Sequence, residues 1–213
     1  MKARVSLLVG LSCAALLCLL GSSSLRADEL ITNGGFENGV YTSTIGGHTN
    51  ASVPNGWTPN AAFDLEPPFN HVYSGNQHAG SYDLSISNYD TEPLAELSQT
   101  FYDVSGDTYS GSFWAYDGGA NGDLNAFLGL LIDGVPKVGL NETVSSWTEY
   151  TFSFTGKGTD TLTIQAATDP SEWYVDNVSV TGTPSPVPEP SSLLLLGTGL
   201  LGFAGALRRK LAR

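Results

Sequence analysis

The chain has 213 residues, a formal charge of −12 and 41% hydrophobic residues. Between Asp28 and Thr183 lie 20 of the 21 acidic residues but only Lys137 and Lys157 of the nine basic ones, which leaves that stretch at −18. Such a surface repels polyanions, so DNA- and RNA-binding classes are excluded, while oxygen-ligated cations such as Ca²⁺ remain compatible with it.

The N-terminus reads as an export signal. Lys2 and Arg4 precede an apolar run from Val5 to Leu20, and small polar residues follow to Ala27. This is the layout of a secretory signal peptide over residues 1–27, cleaved after Ala27. Both cysteines, Cys13 and Cys18, lie inside that run. The exported part then has no disulfide, no thiolate nucleophile and no cysteine zinc site.

From Asp28 onward the pattern is all-β. Gly, Thr, Ser and Asn are frequent, and no segment before the tail keeps a 3.6-residue period. A first short strand is expected at Ile31. Gly39 to Gly80 reads as loop-rich, because Pro54-Asn55-Gly56, Pro59, Pro67-Pro68 and Gly75-Asn76 interrupt it. Tyr82, Leu84 and Ile86 alternate with polar residues, as on a half-buried strand. Leu97, Gln99 and Phe101 repeat the rhythm. Tyr109, Gly111, Phe113 and Ala115 share one strand face; Trp114 and Tyr116 share the other. Leu124 to Ile132 is nearly continuous apolar, as for a strand buried on both faces. Asp133-Gly134 signals a hairpin. Tyr150, Phe152 and Phe154 alternate with Thr and Ser, as do Leu162, Ile164 and Ala166 with polar partners. Trp173 to Val180 closes the domain. Eight or nine short strands with frequent turns predict a β-sandwich over 28–181, with its first and last strands close together.

The tail has three parts in order. Residues 182–192 form a Pro-rich linker ending in Pro188-Glu189-Pro190-Ser191-Ser192. Proline fixes φ and lacks an amide donor, so this motif is extended and open to an enzyme. Residues 193–207 are apolar and read as a transmembrane helix, and the basic residues of 208–213 favour the cytoplasmic side. The motif, the Gly-punctuated Leu196–Gly202 run and the Arg cluster together resemble the PEP-CTERM sorting signal of Gram-negative bacteria that make exopolysaccharide. The resemblance implies recognition by an exosortase-type membrane enzyme at Pro188, Glu189 and Pro190. It also implies an inner-membrane-anchored precursor, delivered afterwards to the cell surface or extracellular matrix.

A second resemblance covers the sandwich. The order Asn33-Gly34-Gly35-Phe36-Glu37, Gly56-Trp57, His78-Ala79-Gly80-Ser81-Tyr82-Asp83-Leu84, Gln99-Thr100-Phe101, Trp147-Thr148-Glu149-Tyr150 and Val175-Asp176-Asn177-Val178 is similar to carbohydrate-binding jelly rolls of the galactose-binding-like superfamily. It implies an all-β jelly-roll sandwich and one structural Ca²⁺ held by Glu37 and Asp176 with backbone carbonyls. Two carboxylates and a Gly-rich turn suit an ion that takes six to eight oxygens. The family often has two adjacent Asp in its closing motif; here the second is Asn177. The Gly-rich loop Asp117–Asn125 also carries oxygen side chains, but its spacing is not that of an EF-hand, and it reads as a turn.

Sugars stack on aromatic faces beside polar groups. Trp57, Phe69 and Tyr73 are candidates in the loop-rich segment. Trp114 and Tyr116 are preferred, because the opposite face of their strand reads as core. The chain has no Gly-x-Ser-x-Gly elbow, no His-Glu-x-x-His and no Glu-x-Asp-x-x-Glu strand motif, and His48, His71 and His78 fall in segments read as polar loops. The domain is therefore read as a non-catalytic glycan-binding or matrix module, with exopolysaccharide as its ligand. The alternatives are a purely structural surface protein and a glycan-active enzyme.

Overall fold

A computed structural model describes residues 28–88, 93–119, 124–169, 171–182, 199 and 207–209. The signal peptide, the Pro188-Glu189-Pro190 motif and nearly all of the 193–207 run lie outside the described residues. Among the described residues no helix is long and apolar enough to cross a membrane.

The body is a two-sheet sandwich. A hairpin of β1 (Val40–Ile45) and β2 (His48–Pro54) comes first. β3 (Thr58–Pro59), helix α1 (Ala61–Leu65) and β4 (His71–Tyr73) follow. The remaining strands are β5 (Asp83–Ile86), β6 (Ala95–Tyr102), β7 (Thr108–Asp117), β8 (Leu124–Ile132), β9 (Val135–Leu140), β10 (Thr148–Thr155), β11 (Thr159–Asp169) and β12 (Trp173–Gly182). One sheet has the order β10-β7-β12-β5-β4 and the other β3-β6-β11-β8-β9. From β5 onward the chain changes sheet at every connection except the β8–β9 hairpin, so most neighbours in a sheet are distant in sequence.

Period-two alternation builds the core. Tyr109, Gly111, Phe113, Ala115 and Asp117 of β7 point inward and are buried, while Trp114 and Tyr116 stay half-exposed on the outer face. Phe152 and Phe154 of β10, Leu162 and Ile164 of β11 and Val175 and Val180 of β12 meet them between the sheets. Asp133 and Gly134 both have positive φ, 50° and 73°, as a two-residue primed hairpin turn requires.

Four expectations need correction. Ile31 starts no strand; the N-terminal segment forms an isolated β-bridge, from Glu29 to Thr181. The Gly39–Gly80 stretch is structured, because Gly46 and Gly47, at φ 63° and 87°, close a hairpin whose Thr- and Ser-rich strands show no apolar alternation. Asn60 caps α1 by accepting from the Phe63 amide at 2.9 Å. His48 and His71 accordingly begin strands, and His78 alone of the three lies in a loop. All four residues of β5 are buried, and the outward Ser85 is capped by the Phe69 carbonyl, to which its hydroxyl donates at 2.6 Å. In β8, Ala126, Leu128, Leu130 and Ile132 are buried but Phe127 and Leu131 are half-exposed, so only one face is fully covered.

The chain ends meet as expected. The Leu30 amide donates to the Val180 carbonyl at 2.9 Å, and the Val178 amide to the Gly34 carbonyl at 2.9 Å. A Cβ on Gly34 would lie 1.8 Å from the Val178 carbonyl oxygen. Gly34→Ala is therefore expected to force this junction apart and to cost at least ~2 kcal/mol, the scale of core overpacking. Denaturant unfolding checks this; an unchanged midpoint contradicts it.

Candidate ligand site on an outer sheet face

The register of the first sheet sets side chains in rows. Tyr116 on β7 pairs with Tyr174 on β12, and Trp114 pairs with Asp176 on one side and Glu149 of β10 on the other. Trp147 continues the outward phase of β10, two residues before Glu149. On β4 and β5, Tyr73 pairs with Asp83 and His71 with Ser85.

These rows produce one connected series of rings. His71 meets Tyr73 edge-on at 5.7 Å, and Tyr73 meets Tyr174 at 5.8 Å. Tyr174 stacks on Tyr116 at 4.9 Å, and Trp147 meets Tyr116 edge-on at 4.8 Å. His78 lies flat on Trp114 at 3.8 Å and edge-on to Trp147 at 5.7 Å. The preferred pair thus shares the outward face, and each of its rings already has a stacking partner. Trp57, by contrast, is 2% exposed and belongs to the core.

The segment 74–82 is pinned above this face by acceptors from both chain ends. Glu37 Oε1 accepts from the Ser81 and Tyr82 amides at 2.6 and 2.8 Å. Asp176 Oδ2 accepts from the Ala79 amide at 2.9 Å, and Oδ1 from the Asn177 amide at 2.6 Å. The Trp147 indole donates to the Asn76 carbonyl at 2.8 Å. Between this segment and the β9–β10 connection lies an open cleft of about 460 Å³, lined by Gly75, Asn76, Gln77, Tyr116, Ser145, Ser146 and Trp147. Further along the same sheet a groove of about 560 Å³ carries hydroxyls in two rows. Ser153, Ser110 and Thr181 form one, and Thr151, Ser112 and Ser179 the other.

Electrostatics mark Asp83 at the base of this face. The residue is fully buried, and neither carboxylate oxygen accepts a hydrogen bond from another residue. Burial, then the neighbouring Asp176, push its pKa up to about 7. Burial, then Asp83 and Glu172, push Tyr116 up to about 12. Burial likewise raises Tyr174, whose hydroxyl donates to Glu172 Oε1 at 2.5 Å. Burial lowers His71 against the pull of Glu172, which favours the neutral imidazole. Among the described residues the arrangement offers flat rings, hydroxyls and carboxylates and no Lys or Arg, so it suits a neutral polyhydroxylated ligand.

Glu37 and Asp176 do come together. A Cβ on Gly35 would lie 3.4 Å from Asn177 Oδ1, 3.8 Å from Asp176 Oδ1 and 3.9 Å from Glu37 Cγ. Glycine leaves room there beside two side-chain oxygens, Asn177 Oδ1 and Asp176 Oδ1, the donor type that Ca²⁺ takes. Residues 120–123 of the Asp117–Asn125 loop lie outside the described residues.

Sequence reasoning passed over Trp147, His78, Tyr174 and Asp83. Trp147 was findable, since it keeps the outward period of Glu149 and Thr151. The other three depend on a loop folding back and on a register between distant strands.

Comparison with known proteins bears on both parts of the chain. A family model described as the PEP-CTERM protein-sorting motif matches residues 186–210. The chain carries a PEP-CTERM sorting motif. No curated protein matches the sequence. Among solved structures, a cyclase from Fischerella sp. TAU is 16% identical with a TM-score of 0.51, covering 76% of this chain and 100% of that one. The K3 cleaved adhesin domain of Lys-gingipain from Porphyromonas gingivalis is 16% identical with a TM-score of 0.50, covering 73% and 99%. The N-terminal CBM22-1-CBM22-2 tandem domain of Xyn10C from Paenibacillus barcinonensis is 13% identical with a TM-score of 0.50, covering 80% and 49%. At these identities the likeness is one of fold, a two-sheet β-sandwich.

Asp83 gives a pH signature. Its folded pKa is raised above the ordinary aspartate value of 3.8, so its share of stability is full below that value and is lost as pH rises towards about 7. Asp83→Asn should therefore be more stable than the parent at pH 8, by on the order of 2–4 kcal/mol at about 1.4 kcal/mol per pKa unit. The gain should vanish near pH 4. Paired melting curves at the two pH values test this, and a gain of equal size at both removes the argument.

Proposed function

We propose that this is an exported PEP-CTERM protein whose sandwich is a non-catalytic glycan-binding module of the cell surface or exopolysaccharide matrix. In this reading residues 1–27 direct export and are removed. Residues 193–207 hold the precursor in the inner membrane, with 208–213 in the cytoplasm. An exosortase-type enzyme then acts at Pro188, Glu189 and Pro190 in the 182–192 linker, and the 28–181 domain is delivered outside a Gram-negative cell. The sorting motif at 186–210 supports the first half of the reading.

The observation that carries the glycan half is the ring series beside the cleft. Trp147 and Tyr116 line the cleft, and Trp114 stands one row away across from Glu149. Sugars offer apolar C–H faces to such rings and hydroxyls to Asn76, Gln77, Ser145 and Ser146. The charge of −18 on 28–183 disfavours uronate-rich or sulfated polymers. A matrix protein without ligand is the second reading. It is favoured by His78 on Trp114 and Tyr174 on Tyr116, which fill faces a sugar would use.

Ca²⁺ is proposed at the junction of the chain ends, with Glu37 and Asp176 as carboxylate ligands and Asn177 Oδ1 beside them. The ion would hold the opening turn against the closing strand and so keep the segment 74–82 in place. It would bind only the folded form and add to its stability.

Two experiments test the reading. Trp147→Ala and Tyr116→Ala should each weaken retention on neutral exopolysaccharide at least tenfold, the scale of an aromatic hot spot. Unchanged retention, or none in the parent, favours the matrix reading. Replacing Pro188-Glu189-Pro190 with alanines should leave full-length precursor in the inner membrane. Normal release of that variant would contradict the sorting assignment.

A further inference from the structure

The other sheet carries a carboxylate cluster at the end of the sandwich where β7 begins. It lies roughly 25 Å along β7 from the Tyr116 cleft. Asp103 follows β6, Asp133 opens the β8–β9 turn and Asp160 is the second residue of β11. Asp103 and Asp133 reach in from two separate connections to the short segment 157–161, which carries Asp160. Asp103 Oδ1 accepts from the Gly158 amide at 2.5 Å, and Asp160 Oδ2 from the Lys157 amide at 2.9 Å. Asp133 Oδ1 accepts from the Thr161 amide at 2.9 Å.

One positive charge serves the cluster. Lys157 Nζ sits 2.7 Å from Asp133 Oδ2, and its side chain is 64% exposed. Asp133 is thereby satisfied on both oxygens. Asp103 Oδ2 and Asp160 Oδ1 are shut off from solvent and have no hydrogen-bond donor. Asp160 as a whole is 1% exposed. A carboxylate this deep, beside a second one, needs a counter-charge or a proton. The backbone closes tightly here: a Cβ on Gly156 would lie 2.7 Å from Asp103 Oδ2.

We propose that Asp103 and Asp160 form a second divalent-cation site, which takes Ca²⁺ against Asp103 Oδ2 and Asp160 Oδ1. The donors are all oxygen, with no His or Cys, which suits a hard cation. Among the described residues no group of three or more His, Cys, Asp and Glu side chains is set to hold a metal ion. Two carboxylates therefore leave the rest of the shell to turn carbonyls and water. That makes the site a weak one, of the millimolar kind found in extracellular modules. Its effect is to staple the β6–β7 connection to the β10–β11 turn. The inference is independent of glycan binding and of the Glu37 site.

The test uses the full-length protein, stripped with chelator, at pH 8. Glu37→Gln removes a ligand of the other proposed site. Millimolar CaCl₂ should raise the melting temperature of Glu37→Gln by roughly 2–5 °C. The rise should disappear when Asp160→Asn or Asp103→Asn is added. Both changes keep side-chain size, and the new amide can donate to the remaining carboxylate, so folding should survive. Loss of the whole Ca²⁺ effect in Glu37→Gln alone overturns the proposal. So does a rise that persists in both double variants. A Glu37→Gln protein that ignores Ca²⁺ but gains stability on acidification from pH 8 to 5 assigns the pair a shared proton instead.

Discussion

The structure depends on one irregularity in the last strand. Between Asp176 and Ser179 the pairing of β12 with β7 slips, and Asn177 takes a left-handed φ of 52°. A β-bulge of this kind bends the strand and re-aims its side chains. Here it frees the Val178 amide to bond the Gly34 carbonyl, so the opening turn docks under the closing strand. Asp176 is turned towards the segment 74–82, where it accepts the Ala79 amide. Asn177 is left in reach of His78, with Nδ2 and Nδ1 3.1 Å apart. His78 in turn covers Trp114. The bulge, the N-terminal turn and the covered sheet face are thus one assembly.

That assembly explains the cost the fold carries on its outer face. Burying Asp83 without an external donor is unfavourable, and the rest of β5 gives no structural reason for a carboxylate there. Local conflicts of this sort gather where a protein keeps a surface ready for something else. The inner faces of both sheets show the contrary pattern, a continuous apolar core from Trp57 and Phe63 to Trp173.

Much of the sandwich was legible because its central strands alternate cleanly. The 109–116 stretch separates core from surface residue by residue, and Asp133-Gly134 names its own turn. The closeness of the chain ends followed from the expected closure of two packed sheets. What stayed hidden had little apolar signal. The β1–β2 hairpin is rich in Thr, Ser, His and Asn, with Ser43, Asn50 and Val53 buried. Asp64 on α1 is buried too, where it accepts from Ser43 Oγ at 2.6 Å. A polar core of this type looks like a loop to any reading of hydrophobic period. The site was half legible. Trp114 and Tyr116 followed from alternation, but their partners come from strands that are adjacent only after the chain has crossed between sheets.

The central claim is that the outer face around Trp147, Tyr116 and Trp114 is where the sandwich meets a glycan. The four tryptophans provide an internal control, since Trp57 and Trp173 are buried in the core while Trp114 and Trp147 are half-exposed on that face. Indole N–H resonances followed by NMR during titration with neutral exopolysaccharide fragments measure the claim directly. The account predicts that the Trp147 and Trp114 signals move with ligand while those of Trp57 and Trp173 stay fixed. Binding that leaves the Trp147 and Trp114 signals unmoved would contradict it.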